Sequence, residues 1–261
     1  MDLFQAVILG IIQGLSEFLP ISSSGHLVLV PWLAGWPYAG LTFDVALHVG
    51  TLFAIVIFFW RDWVMLLADG LRRKKTAEGL MFWYLVLATI PGAAVGYLLE
   101  DQAETIFRNP LLIGIMLMVM GVFLHLADTR SPAIKKLKDM GLKESLLIGV
   151  SQALAILPGV SRSGITMTVG RLVGLTRETS ARFSFLLATP IIAGAGLKKL
   201  SEITPADLTP AFLTGIVVSA AVGFLAIKFL LQYLVRFSYS VFVWYRLILG
   251  ALVIMVYLIR L

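Results

Sequence analysis

Long apolar runs constrain this chain more than any other feature of its sequence. Six runs are long enough for a helix to cross a lipid bilayer, which takes about 20 residues, and none alternates as a barrel strand does. Only 14% of the 261 residues are charged, against roughly 25% in soluble domains. The sequence therefore predicts a helical membrane protein with several spans. The predicted spans are Thr42–Trp60, Leu80–Leu99, Leu111–Ala127, Thr176–Leu197, Ala211–Val235 and Ser240–Ile259.

Two further apolar stretches are each interrupted by serine, glycine and proline. Residues 2–19 and 26–34 flank the first break, and residues 145–157 and a short segment ending near residue 174 flank the second. Each arm is too short to cross a bilayer, and irregular backbone at membrane depth is tolerated only where it is buried or lines a cavity. We therefore predict an all-α polytopic membrane protein with six spanning helices plus two re-entrant helical hairpins.

The two breaks share a sequence pattern, which predicts an inverted-topology repeat. Gln13 and Gln152 precede the breaks, each break contains a Leu-Pro pair, and Ser22-Ser-Ser-Gly25 corresponds to Ser161-Arg-Ser-Gly164. Broken helices related in this way meet near the membrane midplane in proteins built from inverted repeats. The predicted organisation is a single transmembrane domain, 1–261, with repeat 1 at about 1–128 and repeat 2 at about 145–261.

The net charge of +6 is concentrated in two basic loops, residues 61–79 and 130–143. Because basic loops stay in the cytoplasm, both are predicted to be cytoplasmic, and the acidic loop at 100–110 and both termini are predicted to lie outside. Since the charge is explained as a topology signal, we predict no nucleic-acid partner. The chain has no cysteine, which excludes disulfides, thiolate nucleophiles and thiolate metal sites.

The two breaks place anion-binding groups inside the membrane. Short helices are predicted to begin after Ser24 and after Ser163, and helix N-termini offer unpaired N–H donors and a partial positive charge to an anion such as phosphate. Arg162 can hold phosphate oxygens bidentately and would balance Glu17 when substrate is absent. Two such helix ends facing one cavity would suit a diphosphate.

The first break also carries groups for proton transfer. Gln13 and Glu17 are four residues apart and share a helix face, and His26 can act as a general base or acid near neutral pH. One of the serines at 22–24 could be the nucleophile if His26 or Glu17 takes its proton. Two simpler interpretations stay open: the serines only cap helices, and Glu17 with Arg162 only forms a structural ion pair.

Three other polar residues are interpreted without a functional role. His48 lies on an otherwise apolar span and is interpreted as a hydrogen-bonded helix histidine rather than a ligand. Arg171 and Arg177 flank the second return helix and are interpreted as residues at the cytoplasmic boundary of the membrane.

Two motifs of the chain resemble known signatures. Gln13-x-x-x-Glu17 followed by Pro20-Ile-Ser-Ser-Ser-Gly-His26, and Pro158-Gly-Val-Ser-Arg-Ser-Gly-Ile-Thr166, are similar to the signature motifs of the undecaprenyl-diphosphate phosphatases. These are bacterial membrane enzymes also known as bacitracin-resistance proteins, and the resemblance extends over the whole chain. It implies removal of the terminal phosphate from the C55 isoprenyl diphosphate, at a site open to the outer face of the inner membrane. The product is the monophosphate lipid carrier reused in peptidoglycan synthesis.

The resemblance also implies roles for individual residues. It places the candidate nucleophile at Ser23 and the acidic, histidine and arginine residues of the catalytic site at Glu17, His26 and Arg162. The phosphate contacts fall on Ser161, Ser163 and Thr166, and the further expected substrate-binding residues are Gln13, Ser22, Ser24, Gly25 and Gly164. The divalent cation of the family, Mg²⁺ or Ca²⁺, is expected at Glu17. Because Gln13 stands where some members have Glu, this ion would be held loosely.

A second function stays open from the residues alone. Inverted repeats, broken helices and midplane charges also occur in carriers, so the alternative is an inverted-repeat transporter or flippase for a lipid phosphate or a small anion. A carrier needs an anion site but no nucleophile beside a base. Direct attack by water fits the same residues, and the sequence does not decide whether the chain forms a homodimer.

Overall fold

The computed structural model describes residues 1–200, 203–205 and 207–261, without the side chains of residues 104, 199 and 200. The described residues form α-helices, short loops and three 3₁₀ turns, and they contain no β-strand. The helices are α1 (Leu3–Phe18), α2 (Ser23–Ala34), α3 (Leu41–Phe58), α4 (Trp60–Leu71), α5 (Ala77–Leu98), α6 (Glu100–Glu104), α7 (Pro110–Arg130), α8 (Leu142–Ser151), α9 (Arg162–Leu172), α10 (Arg177–Leu200), α11 (Pro210–Arg236) and α12 (Ser240–Ile259). The 3₁₀ turns are Ile106–Arg108, Leu137–Asp139 and Gln152–Ile156.

Six of these helices are long and apolar enough to cross a membrane: α3, α5, α7, α10, α11 and α12. Their bounds lie within a few residues of the predicted spans, and α12 has the predicted bounds. The expected all-α polytopic membrane fold is therefore confirmed.

The pairs α1–α2 and α8–α9 are the two broken helices. The rings of Phe4 at the start of α1 and Trp36 just after α2 are in contact, with centroids 6.3 Å apart. Lys135, ahead of α8, forms a backbone bridge with Leu175, which follows α9. Each pair therefore begins and ends at the same end of the bundle. Their re-entry into a bilayer and their relation as an inverted repeat stay predictions.

One helix, α4, lies where the sequence was interpreted as part of a basic loop. Trp63, Leu66 and Gly70 recur at helical spacing and give this segment an apolar face. Leu66 and Gly70 are buried, and Trp83 Nε1 of α5 donates a hydrogen bond to Gly70 O at 3.1 Å. Residues 61–71 of the predicted loop are therefore helical, and the sequence interpretation missed this because the basic run that follows them outweighed the spacing.

One end of the bundle, which we call the terminal end, carries both chain termini. Arg260 after α12 donates to Trp32 O of α2 at 2.9 Å. Arg108, in the 3₁₀ turn after α6, pairs with Asp44 of α3 at 2.9 Å. At this end the segment after α12 is thus bound to α2, and the acidic loop is bound to the start of α3.

The opposite end, which we call the basic end, carries both basic loops. There the Asp128 carboxylate of α7 pairs with Arg171 of α9 at 3.2 Å and with Arg177 of α10 at 2.6 Å. It also accepts the Tyr239 N–H at 3.1 Å. Because Asp128 and Arg171 are buried, this cluster fixes α7, α9, α10 and the start of α12, a structural role that the boundary interpretation of the two arginines missed.

Close packing of α1 on α11 carries polar side chains into the interior. A Cβ added at Gly14 would lie 2.8 Å from Gly223 N, so only glycine permits this approach. Gln13 and Glu17, on consecutive turns of α1, are 0% and 5% exposed. A carboxylate at membrane depth is costly unless it is paired, so the surroundings of Glu17 define the site.

Candidate active site

The two helix breaks have the same local geometry. Ser22 and Ser161 cap α2 and α9 with φ of 78° and 72°. Their Oγ atoms accept the N–H groups of Gly25 at 3.3 Å and Gly164 at 3.0 Å. A positive φ in a residue with a side chain costs free energy and persists only when its surroundings hold it. The two breaks are thus similar not only in sequence but also in an unusual backbone conformation.

The breaks also contact each other. Ser22 Oγ accepts the Gly159 N–H at 2.9 Å, and Ser163 Oγ donates to Leu19 O at 3.1 Å. Ser22 and Ser163 are fully buried. The starts of α2 and α9 therefore lie side by side in the interior, as a joint site requires.

Four backbone donors are left unpaired at this junction. Among the residues that the structure describes, none accepts a hydrogen bond from the N–H groups of Ser23, Ser24, Arg162 or Ser163. They form the first turns of α2 and α9, where the helix dipoles add partial positive charge. The junction is thus suited to an anion.

Glu17 connects the polar groups of the site. Its Oε1 accepts from Arg162 Nη2 at 2.5 Å, and its Oε2 accepts from Ser23 Oγ at 2.6 Å and from Gln13 Nε2 at 3.0 Å. Arg162 comes from the second broken helix, whereas Glu17, Ser23 and Gln13 come from the first. Glu17 and Arg162 therefore form more than an isolated ion pair, because a serine hydroxyl shares the same carboxylate.

The three candidate serines differ in their surroundings. Ser22 is a fully buried cap, whereas Ser24 lines a cavity. Only the Ser23 hydroxyl is hydrogen-bonded to Glu17. A nucleophile and a base in direct contact are the arrangement that alkoxide attack requires, so the geometry favours Ser23.

His26 lies behind the first break rather than beside Ser23. Its Nδ1 is 2.6 Å from Ser22 O and donates to it, because a carbonyl only accepts. Its Nε2 is 2.7 Å from the Tyr245 hydroxyl, and the two rings are stacked. Both ring nitrogens are therefore engaged elsewhere, and the structure brings Glu17, not His26, to the Ser23 hydroxyl. Proton transfer by His26 stays a prediction.

His48 belongs to the site, contrary to its interpretation from the sequence. Its Nδ1 lies 2.8 Å from Gln13 Nε2 and 3.2 Å from Glu17 Oε2. It is indeed a hydrogen-bonded helix histidine, but its partners are the proposed catalytic groups. A signal was present, because Asp44 and His48 are four residues apart on an apolar span and ionisable residues there mark functional sites.

A cavity of about 460 Å³ adjoins these groups. Ser24 and His48 line its inner part, and Asp44 and Arg108 line it toward the terminal end. Tyr38 donates to Asp44 at 2.8 Å. Burial, and then the Asp44 charge, raise the pKa of the Tyr38 phenol well above its usual range, so it remains a donor. The rest of the wall is largely apolar, which suits a ligand with an apolar chain and a charged head.

The side chains of the second break mostly hold the break together. Ser161 Oγ and Ser163 Oγ are 3.2 Å apart. Thr166 Oγ1 donates to Arg162 O at 2.8 Å and lies 2.7 Å from Ser184 Oγ. All three predicted phosphate contacts are buried. Their contact with phosphate stays a prediction, and Arg162 and the free N–H groups are the donors of this break that remain available.

The residues present fit a loosely held divalent cation at most. Glu17 is the one carboxylate of the network, and the described residues contain no group of three His, Asp or Glu side chains arranged around a metal position. Gln13 Oε1 is buried and has no partner there, and amide oxygens are ligands for hard cations. A cation could therefore be shared between Glu17, Gln13 and substrate oxygens.

The fold and the site together define a polytopic helical membrane protein with a carboxylate, a serine and an arginine joined at two buried helix ends. The chain belongs to the BacA family of bacitracin resistance proteins, whose profile matches residues 6–252. It is 66% identical to the undecaprenyl-diphosphatase of Pelotomaculum thermopropionicum, over 97% of this chain and 96% of the relative. Identity is 55% to the undecaprenyl-diphosphatases of Moorella thermoacetica and Desulforudis audaxviator, over the full length of each chain.

Proposed function

We propose that this protein removes the terminal phosphate of undecaprenyl diphosphate and releases the monophosphate carrier for cell-wall synthesis. The name of its relatives and its family membership support this activity. One observation carries the mechanism: Ser23 Oγ donates to Glu17 Oε2 at 2.6 Å, beside two helix N-termini and Arg162.

In the proposed reaction the diphosphate lies between the starts of α2 and α9. Arg162 and the free N–H groups bind its oxygens, and Ser23 Oγ attacks the terminal phosphorus while Glu17 Oε2 takes its proton. A Ser–O–P bond forms and the bond from this phosphorus to the bridging oxygen breaks, so undecaprenyl monophosphate leaves with that oxygen. Water then attacks the phosphorus of the phosphoserine, and the Ser–O–P bond breaks. Glu17 returns its proton to the Ser23 oxygen, and inorganic phosphate leaves with the water oxygen and both of its protons. Donors already in place supply most of the rate enhancement.

A divalent cation, Mg²⁺ or Ca²⁺, is the proposed cofactor. When bound, it would neutralise charge on the diphosphate oxygens. Glu17 would hold it together with Gln13 Oε1, which has no partner among the described residues. The remaining ligands would come from the substrate.

The proposed location is the bacterial inner membrane, with the basic end in the cytoplasm and both termini outside. The basic loops 61–79 and 130–143 lie together at one end of the bundle, which supports this orientation. The cavity reaches Arg108 at the other end, so substrate would enter from the outer face. The proposed partners are the lipid substrate and the bilayer, with no nucleic acid, and a homodimer stays a prediction.

The site favours this reaction over transport. A carrier for a lipid phosphate would use the helix ends and Arg162, but it has no use for a serine hydroxyl held 2.6 Å from a carboxylate. Lipid flux into liposomes separates the two functions. Loss of phosphate release in Ser23→Ala with unchanged flux would assign this serine to catalysis alone.

The decisive measurement is phosphate release from undecaprenyl diphosphate by purified protein in detergent. Because Glu17→Ala removes the base and Arg162→Ala removes the charged donor, we expect each to lower kcat by at least about 100-fold. Arg182→Ala is the matched control, since Arg182 pairs with Asp62 outside the site, and it should keep the wild-type rate. A near wild-type rate in either site variant would overturn the mechanism.

A further inference from the structure

Arg246 is a fully buried cation that reaches both helix breaks from α12. Its Nη1 donates to Pro20 O of the first break at 2.9 Å. Its Nη2 donates to Gly159 O at 2.8 Å and Val160 O at 3.0 Å, both in the second break. Nε donates to Leu117 O of α7 at 3.2 Å. One guanidinium thus joins four backbone carbonyls from three separate parts of the chain.

Three of the carbonyls that Arg246 binds lie just before the two helix starts that form the site. Pro20 lies two residues before Ser22, and Val160 immediately precedes Ser161. These serines cap α2 and α9 with positive φ, a conformation that needs support from its surroundings in a residue with a side chain. Arg246 therefore fixes the backbone just ahead of both helix N-termini, and through them the placement of the catalytic groups.

Arg246 also brings charge that no carboxylate balances. Within the described part of the chain, all its hydrogen-bond partners are carbonyls, and it takes part in no ion pair. A buried arginine without a carboxylate is expensive at membrane depth. Its positive charge and the two helix dipoles together make the electrostatic potential between the starts of α2 and α9 more positive, which favours binding of an anionic substrate.

Neighbouring residues are arranged around this side chain. A Cβ added at Gly164 would lie 2.7 Å from Arg246 Nη1, so the glycine makes room for the guanidinium. Tyr245, the preceding residue on α12, contacts His26 Nε2 at 2.7 Å. Two consecutive residues of α12 thus support the first break. Arg246 binds the backbone of the break at Pro20, and Tyr245 contacts its His26.

We infer that Arg246 is a positioning residue of the proposed phosphatase site. It holds the starts of α2 and α9 in register so that Ser23 and Arg162 face one phosphate, and its charge strengthens binding of the diphosphate. It makes these contributions without touching substrate, because it is enclosed by the two breaks and α7. The inference rests on the proposed function.

Two substitutions separate the geometric contribution from the charge. Arg246→Lys keeps the charge but cannot reach all four carbonyls, so we expect kcat to fall about 100-fold, as a displacement near 1 Å can cause, with KM within about threefold of wild type. Arg246→Gln also loses the charge, so we expect a similar fall in kcat, a KM raised at least about tenfold and weaker inhibition by inorganic diphosphate.

Arg260 provides the matched control, because it follows the same helix and also binds carbonyl oxygens, but it is exposed and its partners, Trp32 and Leu33, lie near the end of α2 rather than at its start. Arg260→Lys and Arg260→Gln should keep wild-type kcat and KM. Thermal unfolding in detergent gives the folded fraction of each variant, and rates are expressed per folded molecule.

Wild-type kcat per folded molecule in Arg246→Lys would overturn the inference, whatever the state of Arg246→Gln. Equal KM values for a folded Arg246→Gln and Arg246→Lys would overturn the contribution of charge. If the wild-type protein released no phosphate, the proposed function itself would fail. An active wild type with unaffected Arg246 variants would leave that function standing and remove only this inference.

Discussion

At the residue scale, the chemistry of the site depends on how the Glu17 carboxylate is shared. Arg162 occupies one oxygen, and Ser23, Gln13 and His48 approach the other. These contacts fix the orientation of the carboxylate, so that Oε2 faces the Ser23 hydroxyl whose proton it accepts in the proposed reaction. The substitutions most informative about mechanism are therefore those that remove one neighbour of Glu17 and leave the others.

Ser23→Ala and Ser24→Ala separate the nucleophile from its neighbour. Both residues contribute unpaired N–H groups at the start of α2, but only Ser23 Oγ contacts Glu17. We expect Ser23→Ala to lower kcat by at least about 100-fold. Ser24→Ala should lower it less than about tenfold, because at most one neutral hydrogen bond to the substrate is lost. Phosphate release under saturating substrate measures both. Equal losses in the two variants would contradict attack by Ser23.

His48→Ala tests the histidine that the sequence did not assign to the site. It removes the imidazole that contacts Gln13 Nε2 and Glu17 Oε2 and leaves Arg162 and Ser23 in place, so we expect kcat to fall about 10- to 100-fold through displacement of the catalytic carboxylate. His48→Gln, which keeps a polar group, should recover part of this loss. His125→Ala on the exposed face of α7 is the control. A wild-type rate in His48→Ala would exclude His48 from the reaction.

At the element scale, α2 and α9 begin in a way that couples stability to function. The serine that caps each helix has a positive φ, and Ser22 also contacts the opposite break. A helix start of this kind is held by the fold rather than by local preference. Replacing the capping serine by glycine, which adopts positive φ without strain, should therefore cost less stability than replacing it by alanine, although both lose the hydroxyl.

Ser22→Ala and Ser22→Gly measure this effect. Both lose the capping hydroxyl, but glycine adopts positive φ without strain, so we expect Ser22→Gly to unfold at a higher temperature than Ser22→Ala, by about 1 kcal/mol in stability. The same order is expected for Ser161. Thr209, which caps α11 with φ of −75°, is the control and should gain much less from glycine. Thermal unfolding in detergent decides, and an equal effect of glycine at all three caps would contradict the argument.

Features of these elements that depend on neighbouring residues could be predicted from the sequence, whereas contacts between residues far apart along the chain could not. Apolar length alone located the six spans, and Pro20 and Pro158 located the breaks. The 3.6-residue spacing in α4 was visible but competed with the basic run after it. Arg246 could have been noticed as an arginine within an apolar run, which is a functional signal. Its partners at Pro20 and Gly159 could not be predicted, because they lie 226 and 87 residues away along the chain.

At the scale of the whole molecule, the ends of the bundle are distinguished by charge and by access to the site. The buried Asp128 cluster lies at the basic end. The cavity instead extends from the site toward Asp44 and Arg108 at the terminal end. If the basic loops are cytoplasmic, the route to the site opens outward. The side of the membrane from which substrate enters therefore depends on the orientation of the protein. The charge of the two basic loops is the observation that supports the proposed orientation.

Cysteine labelling tests this orientation cleanly, because the chain has no cysteine of its own. Lys75→Cys and Lys138→Cys place a thiol in each basic loop, and Asp101→Cys and Leu261→Cys place one at the terminal end. By the positive-inside rule, a membrane-impermeant maleimide should label the latter two in intact cells and the former two only after permeabilisation. All four substitutions replace exposed or half-buried residues outside the spans, so activity should persist and confirm folding. The reverse labelling pattern would place the cavity mouth in the cytoplasm, and the proposed outward-facing phosphatase would have to be abandoned although the chemistry at Glu17 and Ser23 could stand.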